Sequence, residues 1–113
     1  MEIDVKKEHN SIVIAIKGRM DAVCASDFDH ILEEMISRGD RSFIFDFSNL
    51  EYISSAGLQC ILAAAKQLEP AEGRILLASL KGTVQEVFEI SGFDTLFPIF
   101  NSVEEAMNRD PKA

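Results

Sequence analysis

Polar and apolar positions alternate from the start of the chain. Ile3 and Val5 are interleaved with charged residues, and Ser11-Ile12-Val13-Ile14-Ala15-Ile16-Lys17 is a β-branched run. Both patterns predict strands. Glu8-His9-Asn10-Ser11 between them predicts a tight turn and an antiparallel hairpin, which Gly18 is expected to end. The period then changes. Ala25, Phe28, Leu32, Met35 and Ile36 share one helical face, with Asp27, Glu33, Glu34 and Arg38 elsewhere. Gly39 is the expected stop. Ser42-Phe43-Ile44-Phe45-Asp46-Phe47 is apolar on both faces except at Asp46, as suits a strand covered on both sides.

Residues 48–54 read as a connecting loop. A second helix is expected from about Ser55 to Glu69, with Leu58, Ile61, Leu62, Ala65 and Leu68 on one stripe. Gly73 precedes a buried strand over residues 74–78. Thr83-Val84-Gln85-Glu86 has capping-box spacing and predicts a short helix that Gly92 closes. Leu96-Phe97-Pro98-Ile99-Phe100 reads as a strand, with the proline pointing to a sheet edge. Ser102-Val103-Glu104-Glu105 is a second capping box and starts a last helix. Residues from about 109 are expected to fray. The order β-β-α-β-α-β-α-β-α implies an α/β fold. An N-terminal hairpin leads into alternating helices and strands, and the helices pack on a mixed sheet. The 113 residues are room for one domain, spanning 1–113.

Charge narrows the partners. Eleven Lys and Arg stand against 19 Asp and Glu, a net charge of −8. Such a surface repels phosphate backbones and anionic lipid, so nucleic acid and membrane surfaces are not expected partners, whereas a basic protein surface is compatible. The longest unbroken apolar run, Cys60 to Ala65, is six residues, against the roughly 20 of a membrane helix. Met1-Glu2-Ile3-Asp4 has no signal-peptide character. Cys24 and Cys60 form no CxxC pair, as suits a reducing compartment. The expectation is a soluble cytoplasmic domain.

Candidate chemistry is sparse. The glycines at 18, 39, 57, 73, 82 and 92 never cluster, so the phosphate-cradling GxGxxG and Walker patterns are absent. His9 and His30 share no ligand spacing, and no GxSxG elbow occurs. No catalytic residue, metal or cofactor is expected, and the chain does not read as an enzyme. Asp46 sits near the end of a buried strand, where receiver domains carry a phospho-accepting Asp. The opening hairpin disagrees with that topology, and the preferred reading is that Asp46 fixes the Ser48-Asn49 turn.

Tyr52-Ile53-Ser54-Ser55-Ala56-Gly57-Leu58 lies at a loop-to-helix junction. Ser54 or Ser55 suits an N-cap, and Ala56 and Gly57 keep the first turn slim. A serine there also tolerates phosphorylation. A charge of about −1.5 to −2 meets the positive helix end, and what changes is the surface offered to a partner.

Asp46-Phe47-Ser48-Asn49-Leu50-Glu51-Tyr52-Ile53-Ser54-Ser55-Ala56-Gly57-Leu58 resembles the signature of the STAS domain (sulfate transporter and anti-sigma factor antagonist). Gly18-Arg19-Met20-Asp21, Leu80-Lys81-Gly82-Thr83-Val84 and Ser91-Gly92-Phe93-Asp94 resemble further family segments in the same order, over nearly the whole chain. The resemblance implies a free-standing anti-sigma factor antagonist. Such a protein binds a GHKL-type ATPase that is both anti-sigma factor and serine kinase, loses binding on phosphorylation, and is reset by a metal-dependent serine phosphatase. It puts the phosphorylated serine at Ser55, with Ser54 as a rival acceptor. The implied docking surface holds Asp21, Ser54, Ser55, Ala56 and Gly57. Ser54 stands where the best-studied switches carry an acid, and Ala56 where they carry a second hydroxyl. Two other roles stay open. One is an accessory subunit of a lipid transporter or signalling scaffold, with Ser55 structural. The other is a small enzyme using Asp46 or a serine nucleophile.

Overall fold

The fold starts from the hairpin. Strand β1 (Glu2–Glu8) pairs antiparallel with β2 (Ser11–Met20), and Glu8 faces Ser11, the register a two-residue connection imposes. The computed structural model describes residues 1–8 and 10–109, with the side chains of residues 23–25 and 109 excepted. His9 and the expected fraying beyond Arg109 therefore lie outside the described residues. Helix α1 (Ala22–Ser37) follows. It ends as its Gly39 predicts: Gly39 N–H donates to Ile36 O at 3.0 Å and Asp40 N–H to Met35 O at 3.1 Å. These paired bonds satisfy carbonyls that the last turn leaves open.

Strand β3 (Ser42–Asp46) runs parallel to β2, and β5 (Arg74–Ala78) parallel to β3. Between them come β4 (Leu50–Ile53), α2 (Ser55–Leu68) and one 3₁₀ turn at Glu69–Ala71. After β5 come α3 (Gly82–Ile90), α4 (Phe93–Leu96), β6 (Ile99–Phe100) and α5 (Val103–Arg109). The sheet order is β1-β2-β3-β5-β6, with β4 joined to β2. All pairings except β1–β2 are parallel.

Strand alternation divides the apolar residues between two faces. Ile12, Ile14, Ile16, Phe43, Phe45, Ile75 and Leu77 point into the larger core, under Phe28 and Leu32 of α1, Ile61 and Leu68 of α2, and Phe88 of α3. Val13, Ile44, Leu76 and Ala78 point the other way, where Ala106 of α5 covers them. β3 is buried on both faces, which is why its sequence is apolar without alternation. The larger core contains a chain of rings. Phe28 meets Phe45 edge-on at 5.3 Å, and Phe47, Phe88, Phe93 and Phe97 continue in steps of 5.5 to 6.2 Å.

Four expectations need correction. Gly18 does not end the second strand: β2 continues to Met20, with a bulge between Gly18 and Arg19. Gly18 adopts φ +89° there, a value at which a Cβ would be strained. The loop over residues 48–54 contains β4, a four-residue strand that pairs with the extension of β2. Thr83 does not cap α3. The helix starts at Gly82 without a side-chain cap, and Gln85 N–H already donates to Lys81 O at 3.3 Å, so Thr83 falls inside the first turn. The expected strand over residues 96–100 is split. Leu96 closes α4, where Phe97 N–H donates to Phe93 O at 3.1 Å, and only Ile99–Phe100 pair, at the sheet edge. Pro98 is tolerated there because its carbonyl alone is used, accepting Leu77 N–H at 3.0 Å. The observed order is β-β-α-β-β-α-β-α-α-β-α. The second capping box holds: Ser102 Oγ accepts Glu105 N–H at 3.0 Å. Among the described residues, no helix is long and apolar enough to cross a membrane.

Candidate partner-docking site

Two parallel strands end side by side. Arg19 and Met20 of β2 face Tyr52 and Ile53 of β4, and Ser54 N–H donates to Met20 O at 2.9 Å. Asp21 follows the first strand and Ser54 the second, so the pairing brings together residues 33 positions apart in sequence. Carboxyl ends of parallel strands are where α/β sheets commonly present their sites.

Ser54 takes an extended backbone, φ −89° and ψ 172°, and its Oγ accepts Gly57 N–H at 3.2 Å. Its carbonyl accepts Leu58 N–H at 3.0 Å. Ser54 is thus the N-cap of α2, and Ser55 is the first helical residue. Ser54 is half-buried, Ser55 exposed, Ala56 and Asp21 half-buried, and Gly57 buried. The first turn of α2 carries no acidic side chain. An anion on Ser55 would meet the positive helix end without a like charge from that turn. Ser54→Ala removes the cap and is expected to cost about 1 kcal/mol, measurable as a lowered urea midpoint with unchanged slope.

Gly57 sets how closely the helix seats. A Cβ there would lie 2.8 Å from Ile53 Cγ1 and 3.1 Å from both Met20 Cγ and Met20 O. The slim first turn read from the sequence lets α2 pack directly on the ends of β2 and β4.

The sequence reading missed a neighbouring pair. The Arg19 guanidinium stacks over the Tyr52 ring at 4.2 Å from its centroid. Beside Tyr52, a groove of about 320 Å³ runs between β4 and α3, lined by Tyr52, Ile53, Thr83, Val84 and Val87. Arg19 and Tyr52 each stand in a segment that drew attention for other reasons. Only the strand register brings them together.

Asp46 is not part of this site. Its Oδ1 accepts Ser48 N–H at 3.0 Å, so it fixes the turn as expected. It lines a separate groove with Val103, Glu104 and Met107. His30 is exposed on α1. Burial pushes the Cys60 thiol up, and the Asp29 carboxylate adds to the shift, which disfavours the reactive thiolate. Among the described residues, no group of three or more His, Cys, Asp or Glu could hold a metal ion.

The chain is similar to known proteins. BtrV of Bordetella bronchiseptica, named as a candidate anti-sigma factor antagonist, is 38% identical over 106 residues, covering 94% of this chain and 91% of BtrV. The anti-sigma-B factor antagonist of Listeria monocytogenes is 28% identical over 109 residues, covering 96% and 95% of the two chains. The structure of Bacillus SpoIIAA in its phosphorylated form superposes with a TM-score of 0.77 at 24% identity, over 96% of this chain and 98% of that one. This last likeness is one of fold: a mixed sheet with helices, opened by a hairpin. With the STAS domain model matching residues 2–106, the chain belongs to the STAS domain family.

Proposed function

We propose that this chain is an anti-sigma factor antagonist of the partner-switching kind, a cytoplasmic single-domain protein without catalysis of its own. It binds a GHKL-type anti-sigma factor that is also a serine kinase, through a surface around Asp21, Ser54, Ser55, Ala56 and Gly57. Phosphorylation of Ser55 ends binding, and a serine phosphatase restores it. The observation that carries the reading is the division of labour between the two serines. Ser54 is half-buried with its hydroxyl accepting a helix N–H, while Ser55 is exposed at the first helical position. A kinase therefore reaches Ser55 without breaking the cap. The names of BtrV and the Listeria relative support the antagonist role.

A phosphate on Ser55 leaves the fold intact and changes the docking surface. It sits at the helix end that favours anions, so α2 keeps its start. A partner packed over Ala56 and Gly57 instead meets a bulky dianion. A penalty of about 3 kcal/mol weakens binding roughly a hundredfold.

The test is a pull-down from host lysate with ATP depleted or ADP supplied, using wild type, Ser55→Ala and Ser55→Asp as baits. A small GHKL-type ATPase retained by the first two and lost on the third is expected. The same partners on all three baits, transporter subunits among them, would overturn the switch and support the accessory-subunit reading.

A further inference from the structure

We propose that the Arg19–Tyr52 pair is a preorganised anchor on the docking surface. It takes a carboxylate of the anti-sigma factor, and an apolar side chain next to that carboxylate seats in the groove between β4 and α3. This rests on the reading above and names the chemistry of the partner segment.

Charge is the first argument. Arg19 is exposed, and no ion pair engages it among the described residues. That is notable in a chain with 19 acidic and 11 basic residues, where carboxylates are plentiful. The counter-charge is left for another molecule to supply.

Geometry is the second. The guanidinium lies over the ring face at 4.2 Å, so its edge remains available for the fork that a carboxylate accepts. Stacking limits the freedom of both side chains before binding, which lowers the entropy lost on docking. Tyr52 is 39% exposed although Leu50 and Ile53 at the ends of the same strand are 4% and 5% exposed. Tyrosine and arginine are both enriched at interface hot spots.

Continuity is the third. β4 runs from Tyr52 straight into the Ser54 cap, and the Ser54 N–H bond to Met20 O lies one register position beyond the Arg19–Tyr52 pair. One partner surface therefore spans the anchor and Ser55. The groove of about 320 Å³ beside Tyr52 has room for one apolar side chain.

The test uses the purified anti-sigma factor recovered on the Ser55→Ala bait, titrated calorimetrically into variants of the full chain. Arg19→Glu is expected to weaken binding about a hundredfold and Arg19→Lys, which loses the fork, about tenfold. Tyr52→Ala is expected to weaken it about tenfold, and Tyr52→Phe, which keeps the ring face, less than about threefold. Lys7→Glu makes the same charge change roughly 20 Å away toward the other end of the sheet; Lys7 faces Ile12 on β2. It is expected to leave affinity within about threefold. Equal losses for Arg19→Glu and Lys7→Glu would reduce the effect to net charge and overturn the anchor. If Ser55→Asp releases the ATPase while Arg19→Glu and Tyr52→Ala bind like wild type, the anchor falls and the switch stands. If no bait retains an ATPase, both fall.

Discussion

Replacing Phe45 with alanine is expected to destabilise the fold by about 3–5 kcal/mol. Phe45 is fully buried in β3. Its ring meets Phe28 of α1 edge-on at 5.3 Å and lies 6.2 Å from Phe47 and 6.5 Å from Phe43. Truncation removes the ring's transfer free energy and leaves a cavity whose walls belong to a strand paired on both sides, so little collapse is available. A domain of this size has only about 5–15 kcal/mol in total. The melting temperature should fall by more than about 10 °C. Calorimetry and urea denaturation check this, and a loss under about 1 kcal/mol would show that the aromatic chain repacks around the gap.

Gly57→Val is expected to cost about 3 kcal/mol and to displace Ser55. The new Cβ would stand 2.8 Å from Ile53 Cγ1 and 3.1 Å from Met20 O. The carbonyl is backbone that also accepts the Ser54 N–H, so it cannot move without loosening the join between β2 and the helix start. Overpacking of this kind costs about 1–3 kcal/mol, and the two further methyl groups take it to the upper end. Valine's better helix propensity returns less than about 1 kcal/mol, so the steric term wins. The single-methyl change Gly57→Ala should be milder. The prediction joins stability to function: amide shifts from Ser54 to Leu58 should move together, and partner affinity should fall in the fraction that remains folded. A valine variant as stable as wild type would mean that α2 slides on the sheet without cost.

The same physics separates what was legible in the sequence from what was not. The hairpin, α1 with its Gly39 stop and the buried β3 are written in spacings of two to four residues. The Ser102 cap and the Asp46 turn are likewise bonds across two or three positions. The serine cap of α2 was legible as a pair of candidates. Choosing Ser54 over Ser55 required the backbone direction, which the Met20 carbonyl sets from 34 positions away. Thr83 shows the converse. Its spacing matches a cap, but the preceding chain already starts the helix at Gly82.

By itself the sequence determined the α/β class, the two faces of the sheet, the family, and the serine-bearing helix start on which the proposed switch rests. Each follows from local periodicity, capping chemistry or a contiguous motif. Only the tertiary structure decided that β2 runs on past Gly18, that four residues of apparent loop pair with that extension as β4, and that an Arg19–Tyr52 stack forms beside that junction. Leu50-Glu51-Tyr52-Ile53 is too short to signal a strand alone. It becomes one because the end of β2 offers unpaired backbone groups, and burying those groups without hydrogen bonds would cost more than ordering four residues beside them.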